Sequence, residues 1–368
     1  MKILILTHVV RPYQSPRSFR STELAIEMAK QGNDITLYAV VGPNKYELQK
    51  NYKRLNIELK DYRKFFLVRK NSSEKLKLAP LHKVLITLFK RVFNYPNIEF
   101  LFNIPKSLKN EKEYDLLISI AKPHSIHWGT AWALKKNPEL TRTWVADCGD
   151  PFMGNRFGPP PFYFKYLEKW FLMKAHFITV PAEGAKNAYL AEFRKKIHVI
   201  PQGFSFENIK TYQSKVENPI PTFAYAGAVY KRKRDPTIFL EYLSSLKLNF
   251  KFIIYTDETD LYKPFLQVLG EKLELRNYIS REDLIFELSK MDFLVNLENI
   301  HNEQVPSKLI DYSLTGRPIL SIGSVEINEN AINDFLSGDY SHTLSIDLER
   351  FKIENVAGKF LELAKMHV

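Results

Sequence analysis

The feature that most constrains this chain is its opening. Residues 2–6, K-I-L-I-L, form an unbroken apolar run, residues 21–31 carry apolar side chains at helical spacing, and residues 34–41, D-I-T-L-Y-A-V-V, form a second apolar run. Strand, helix and strand within about forty residues make a βαβ unit, which needs a parallel sheet covered by helices on both faces. Leu24, Ala25, Met28 and Ala29 share one helix face, with Ser21 read as the N-cap and Gly32 as the stop.

The alternation continues along the chain. Strands are expected at 114–121, 143–147, 176–180 and 197–201, with helices over 125–136 and 162–174 and another after residue 180. Residues 206–221 are polar and proline-containing without a clean period, and read as a linker. The pattern restarts with strands at 222–227, 250–255, 273–277, 293–297 and 319–322, and helices near 235–247, 259–269, 281–290 and 307–315. The expectation is two doubly wound Rossmann-like α/β domains facing each other across a cleft, with ligands at the carboxyl ends of the strands. The domains are expected at 1–207 and 208–354, with a final helix at 355–368 packing back on the first. A length of 368 residues suits two such cores.

Charge is uneven. The formal net charge is +12, but residues 1–180 hold 30 Lys+Arg against 15 Asp+Glu, and residues 181–368 hold 23 against 26. The stretch 45–112 alone holds 17 against 6. Within it, residues 81–93 read either as a core-facing helix with solvated lysines or as a basic amphipathic helix on anionic lipid. An anionic membrane surface, nucleic acid and an anionic substrate all suit such a basic half. No run approaches the roughly 20 apolar residues of a membrane span. The apolar N-terminus includes Thr7 and His8 and no small-residue cleavage site follows, so it reads as a buried strand rather than a secretory signal. The single cysteine, Cys148, has no disulfide or C-x-x-C partner and reads as a small buried residue in a reducing compartment.

Two segments carry chemistry. In V-P-S-K-L-I-D-Y at 305–312, Pro306, Ser307 and Lys308 stand where a loop becomes a helix, and the free N–H groups and dipole of a helix start suit a phosphate. Glu303 precedes that helix and Asp311 lies one turn inside it; both acids can accept hydrogen bonds from sugar hydroxyls. The same residues also fit a capped helix with surface acids. The second segment, G-A-V-Y-K-R-K-R-D-P at 227–236, follows a strand from Gly227, and its cations, Lys231 and Arg234 among them, can meet a diphosphate. A solvated basic loop is the plainer alternative.

These segments resemble the GT-B glycosyltransferases of the retaining family 4 type. P-S-K-L-I-D-Y-S-L-T-G-R-P-I-L resembles that family's "PSKl.EYla.GkPvi", T-E-L-A-I-E-M-A-K-Q-G-N-D-I-T-L-Y its "eLa..La.rGheVtv", and K-K-I-H-V-I-P-Q-G-F-S-F its "kv.viPnGfd". Residues 119–152 resemble a subgroup reading "S.pp.s.h..g…wiaDfrDpw". The resemblance implies retaining glycosyl transfer from a UDP- or GDP-sugar to a glycan or lipid-linked acceptor, with no cofactor and no metal, as in surface polysaccharide, lipopolysaccharide or glycolipid assembly. It implies a cytoplasmic protein, peripheral on the inner face of the membrane. Glu303 and Asp311 keep the family's E-x7-E spacing, with Asp in the second place. Ala228 stands where the family has an Arg, and Arg234 where it has a Lys, with Lys231 or Lys233 to compensate. The family's Gly-Gly loop is replaced by S-P-R-S-F-R at 15–20, leaving Arg17 and Arg20 as the basic residues there. His124, His127, Asp147 and Asp150 are candidates for acceptor orientation or proton handling, although for each histidine a structural hydrogen bond is the favoured reading. Two other readings are a nucleic-acid-binding protein using the basic half and a sugar-nucleotide epimerase on the same fold. No nucleic-acid motif is present, so nucleic acid is not expected as a partner.

Overall fold

The computed structural model describes residues 1–13, 15–62, 90, 92–155, 160–207, 209–214, 216–229, 234–298 and 307–367. The chain divides into two compact units. The first comprises Met1–Ser205 and Arg350–Val368, the second Phe206–Glu349. Each contains a parallel sheet flanked by helices.

In the first unit the elements are β1 (Lys2–Leu6), α1 (Pro16–Lys30), β2 (Asp34–Ala39), α2 (Lys45–Lys53), β3 (Ile57–Asp61), α3 (Glu99–Ser107), β4 (Tyr114–Ala121), α4 (Ser125–Lys136), β5 (Thr141–Cys148), α5 (Phe164–Lys174), β6 (Phe177–Val180) and β7 (Ile197–Val199). The strand order is β3-β2-β1-β4-β5-β6-β7, all pairs parallel. Its opening strand shows why a continuous apolar run was needed. Leu4 and Leu6 join one core with Trp128 and Trp144, and Ile3 and Ile5 join the core on the opposite face with Leu24 and Met28. A strand's period of two sends alternate side chains to opposite faces, so both sets must be apolar when both faces are covered.

The second unit contains β8 (Thr222–Ala226), α6 (Thr237–Ser245), β9 (Lys251–Tyr255), α7 (Lys263–Leu269), β10 (Leu273–Arg276), α8 (Arg281–Leu288), β11 (Phe293–Leu297), α9 (Ser307–Leu314), β12 (Ile319–Ile322) and α10 (Glu329–Ser337). Its strand order is β10-β9-β8-β11-β12. The same alternation recurs: Phe223 and Tyr225 of β8 enter one core, Ala224 and Ala226 the other. The last helix, α11 (Ile353–Met366), belongs to the first unit, where Phe360 and Val356 join the core beneath α1.

Two local expectations are corrected. Helix α1 begins at Pro16, not near Ser21: the Ser15 side chain accepts from the Ser18 N–H, and proline at the first helical position has no N–H to leave unpaired. No α-helix follows β6. The chain forms two 3₁₀ turns, Glu183–Ala188 and Ala191–Lys196, because Tyr189 and Leu190 adopt extended backbone between them, and both Tyr189 and Phe193 enter the first unit's core. The stretch 45–112, in which only a helix over 81–93 was expected, contributes α2, β3 and α3. Most of the basic amphipathic segment 81–93 lies outside the described residues.

Candidate functional site

In a doubly wound sheet the strand order reverses at one point, and the strand ends there leave an open crevice. In the second unit that point lies between β8 and β11, and Gly227 directly follows β8. Gly227 has φ +141°, a region that side-chain-bearing residues rarely adopt, so the turn away from β8 requires glycine. A Cβ built there would lie 3.7 Å from both Cδ and Nζ of Lys308. Helix α9 is held against the same strand: the Ala226 N–H donates to the Tyr312 hydroxyl at 2.7 Å, which donates back to the Ala226 carbonyl at 3.2 Å. The turn after β8 and the start of α9 therefore converge, and the structure brings Gly227, Arg234 and Lys308 together.

The charges of this turn are unusual. The Lys308 ammonium lies 4.1 Å from the Tyr225 ring centroid, is buried, and has no hydrogen-bond partner among the described residues. Burial pushes its pKa well below the ordinary lysine value, and the Arg234 guanidinium adds to the effect. Arg234 donates to the Ala228 carbonyl at 3.3 Å. Two cations thus share this turn, and no described carboxylate pairs with the Lys308 ammonium. Nearer the middle of α9, Asp311 accepts from Arg281 Nε at 2.9 Å and Nη2 at 2.6 Å, both on Oδ1. Burial raises the Asp311 pKa, and Arg281 opposes that rise. Arg281 opens α8, where Ser280 caps the helix by accepting from the Asp283 N–H. Nothing in the sequence pointed to Arg281, because its partner is 30 positions away. Lys231, Glu303 and Pro306 lie outside the described residues, and Ser307 is placed as the first residue of α9.

The corresponding crevice of the first unit lies between β1 and β4. A cavity of about 470 Å³ sits there, lined among others by His8, Asn94, Asn97, Lys122, His124 and Phe152. Its mix of amides, a cation and an aromatic face suits a hydroxyl-rich ligand. Of the candidate residues, His124 lines it, and Asp150 precedes the lining residue Pro151. The Asp150 carboxylate takes Arg17 at 2.7 Å and Lys122 at 3.3 Å, and although burial works against ionisation, these two cations hold its pKa below the ordinary carboxylate value. Arg17 is thereby occupied and packs over Gly149, where any Cβ would meet its guanidinium.

Several assignments need correction. Arg20 is not a loop cation open to a phosphate. It is 4% exposed, donates from Nε and Nη2 to the two Asp147 oxygens at 2.6 and 2.7 Å, and donates to the Pro201 carbonyl at 2.7 Å. Asp147, also accepting from Thr179, is likewise a structural group. His127 is fully buried between Ser119, 2.8 Å from Nδ1, and the Cys148 sulfur, 3.5 Å from Nε2. Burial drives its pKa well below the ordinary value, and no part of the ring is open to a substrate. His124 is pushed down to about 3 by burial and then by Lys122. A base that weak takes no proton from an alcohol efficiently at neutral pH. It lines the cavity but does not serve as the general base.

No family model matches the chain, and no curated protein sequence matches it. Solved structures do. The apo form of a lipopolysaccharide outer core galactosyltransferase, WaaB, superposes with TM-score 0.62 at 13% identity, over 100% of this chain and 99% of the other. The Anabaena protein HepE in complex with UDP and glucose gives TM-score 0.57 at 13% identity, over the full length of both. A UDP-N-acetylglucosamine 2-epimerase gives TM-score 0.53 at 9% identity, over 100% of this chain and 95% of the other. At these identities the likeness concerns the fold, which is of the GT-B type: two Rossmann-like units in one chain.

Proposed function

We propose that this protein is a glycosyltransferase of the family 4 type, whose second unit binds a nucleotide sugar and whose first unit binds the acceptor. The observation that carries this reading is Lys308: a buried ammonium beside Arg234, at the switch point of a nucleotide-type sheet, with no described anion to pair it. A buried charge without a partner is strongly unfavourable, so such a site is complete only when an anion enters. A nucleoside diphosphate supplies that anion, and the start of α9 adds unpaired N–H groups. Asp311 accepts the ribose hydroxyls, with Arg281 as the positioning residue that fixes its carboxylate. Glu303 contacts the transferred sugar.

In the reaction the bond from the anomeric carbon to the diphosphate oxygen breaks and the acceptor oxygen bonds to that carbon. The acceptor proton passes to the departing diphosphate on the same face, which yields retention and needs no protein base. Lys308 and Arg234 are strongest where charge develops, on the leaving oxygens, so the second unit supplies electrostatic catalysis without a metal at that position. UDP- and GDP-sugars both fit this chemistry. The first unit's cavity takes the acceptor glycan. A lipid-linked acceptor fits the exposed Phe162, Tyr166 and Met173 around α5, interspersed with Lys165, Lys169 and Lys174, as a surface for an anionic membrane. Among the described residues no helix is long and apolar enough to cross a membrane.

Thermal denaturation with UDP, GDP or an RNA oligomer tests the nucleotide assignment. Stabilisation by one nucleoside diphosphate and not by RNA is expected, and stabilisation by RNA alone defeats the proposal. Incubation with a nucleotide sugar and no acceptor then separates transfer from epimerisation: a sugar released with inverted C2 identifies the epimerase instead.

A further inference from the structure

The first unit contains a second cluster that glycosyl transfer does not use. One ring nitrogen each of His124 and His127 and the Cys148 sulfur lie within 4.8 Å of one another, in a fully buried setting. Three atoms so spaced lie within about 2.8 Å of a common centre. Bonds of about 2.0 Å to nitrogen and 2.3 Å to sulfur thus need inward shifts of under about 1 Å.

The hydrogen bonds around the cluster fix which atoms face inward. His124 Nε2 lies 3.0 Å from the Asp150 carbonyl oxygen. A carbonyl only accepts, so Nε2 carries the proton, and the neutral ring leaves a bare lone pair on Nδ1. That Nδ1 is buried and has no hydrogen-bond partner among the described residues. His127 is held in the same way from outside: Nδ1 sits 2.8 Å from Ser119 Oγ, which also accepts from Trp144 Nε1, and Nε2 faces Cys148 Sγ at 3.5 Å. Each imidazole has one nitrogen tied to an oxygen; the other nitrogen of His127 faces the thiol, and the other nitrogen of His124 is left without a hydrogen-bond partner among the described residues. Metal-binding histidines are oriented by outer hydrogen bonds of this kind. A core that merely tolerated two histidines would have no reason to leave a lone pair bare.

We propose that His124, His127 and Cys148 form a binding site for a borderline-soft transition-metal cation of the zinc type. Two imidazoles and a thiolate are the donor set such ions select over oxygen-preferring magnesium or calcium. The thiol is deprotonated by the metal on binding, and its proton leaves to solvent. Glu168, a buried carboxyl beside this cluster whose pKa burial raises to about 7, can ionise to offset the added charge. His124 also lines the 470 Å³ cavity, so water from it can supply a fourth ligand. The site belongs to the first unit and the diphosphate turn to the second, and it departs from the expectation that the protein binds no metal.

The test uses the full chain, stripped with a chelator and titrated with Co²⁺ as a spectroscopic probe. The expected result is one equivalent bound, with a sulfur-to-cobalt charge-transfer band in the near ultraviolet that Zn²⁺ abolishes by displacement. Cys148→Ala should remove the band, and Ser119→Ala should weaken Co²⁺ binding by about tenfold or more through loss of an outer hydrogen bond. His124→Gln, at the cavity edge, serves where the cysteine variant fails to fold, and should weaken binding at least as much. Absence of the band in the parent protein, or a band that survives Cys148→Ala or His124→Gln, overturns the site.

Discussion

The two units share a fold yet treat their cations oppositely. In the first unit two arginines meet carboxylates: Arg20 grips Asp147 through two nitrogens in the core, and Arg17 with Lys122 surrounds Asp150. At the second unit's crevice Lys308 lies buried beside Arg234 with no described carboxylate. A buried ion pair is a closed arrangement that resists an incoming ligand, because an anion would have to displace one already in place. A buried cation without an acid is an open one. The contrast separates residues that hold the fold from residues that wait for a substrate.

The sharpest way to break this comparison is to remove one cation from each side. Arg20→Ala strands the Asp147 carboxylate in the core, and losing one partner of a buried pair costs about 3–5 kcal/mol. In a unit of this size the melting temperature should fall by about 10 °C or more. Lys308→Met should do the reverse. It removes an unpaired buried charge, so the melting temperature should hold or rise, while nucleoside diphosphate affinity falls by about 10²-fold through loss of a charge-assisted contact. Calorimetry on both variants with titration of UDP and GDP checks the pair. A Lys308→Met protein that binds nucleotide normally would remove the basis for the donor site.

Asp311→Ala is expected to have a smaller effect, about 10- to 50-fold on nucleotide affinity, with an unchanged melting temperature because Arg281 is partly exposed and water can replace its partner. Arg281→Lys sharpens the assignment. A lysine cannot reproduce the guanidinium fork on Oδ1, so a positioning role predicts an intermediate loss confined to ligands that carry ribose hydroxyls. Equal losses for UDP and inorganic diphosphate would contradict that role.

These contrasts also mark how much could be read from the sequence. The apolar runs at 2–6 and 222–226 announce buried parallel strands because both of their faces must be apolar, and the strand–helix alternation then leads to two doubly wound sheets. The helix start at Ser307 was legible because its signal is local, whereas its phosphate contact stands as a proposal. Arg20 was misread because its role depends on Asp147, 127 positions away, and nothing local distinguishes a paired arginine from a waiting one. The same holds for Arg281 and Asp311, and for Cys148, whose neighbours His124 and His127 are brought to it only when β4 and β5 pair. Local chemistry is written locally, whereas charge compensation is a property of the folded contacts.

The smallest predicted effect tests the comparison through protons. Lys308 has a folded-state pKa below its unfolded value, so the unfolded chain holds more protons between the two values. Stability contributed by this group therefore rises with pH across that window, and the penalty of the buried charge is complete below the folded pKa. A bound diphosphate favours the ammonium form and draws the pKa back up. Nucleotide binding within the window must then take up between zero and one proton, and affinity must decline as pH rises through it. Calorimetric titration in buffers of different ionisation enthalpy measures that uptake directly. Uptake that vanishes in Lys308→Met assigns the proton to this ammonium; uptake unchanged in Lys308→Met means that another group meets the phosphate.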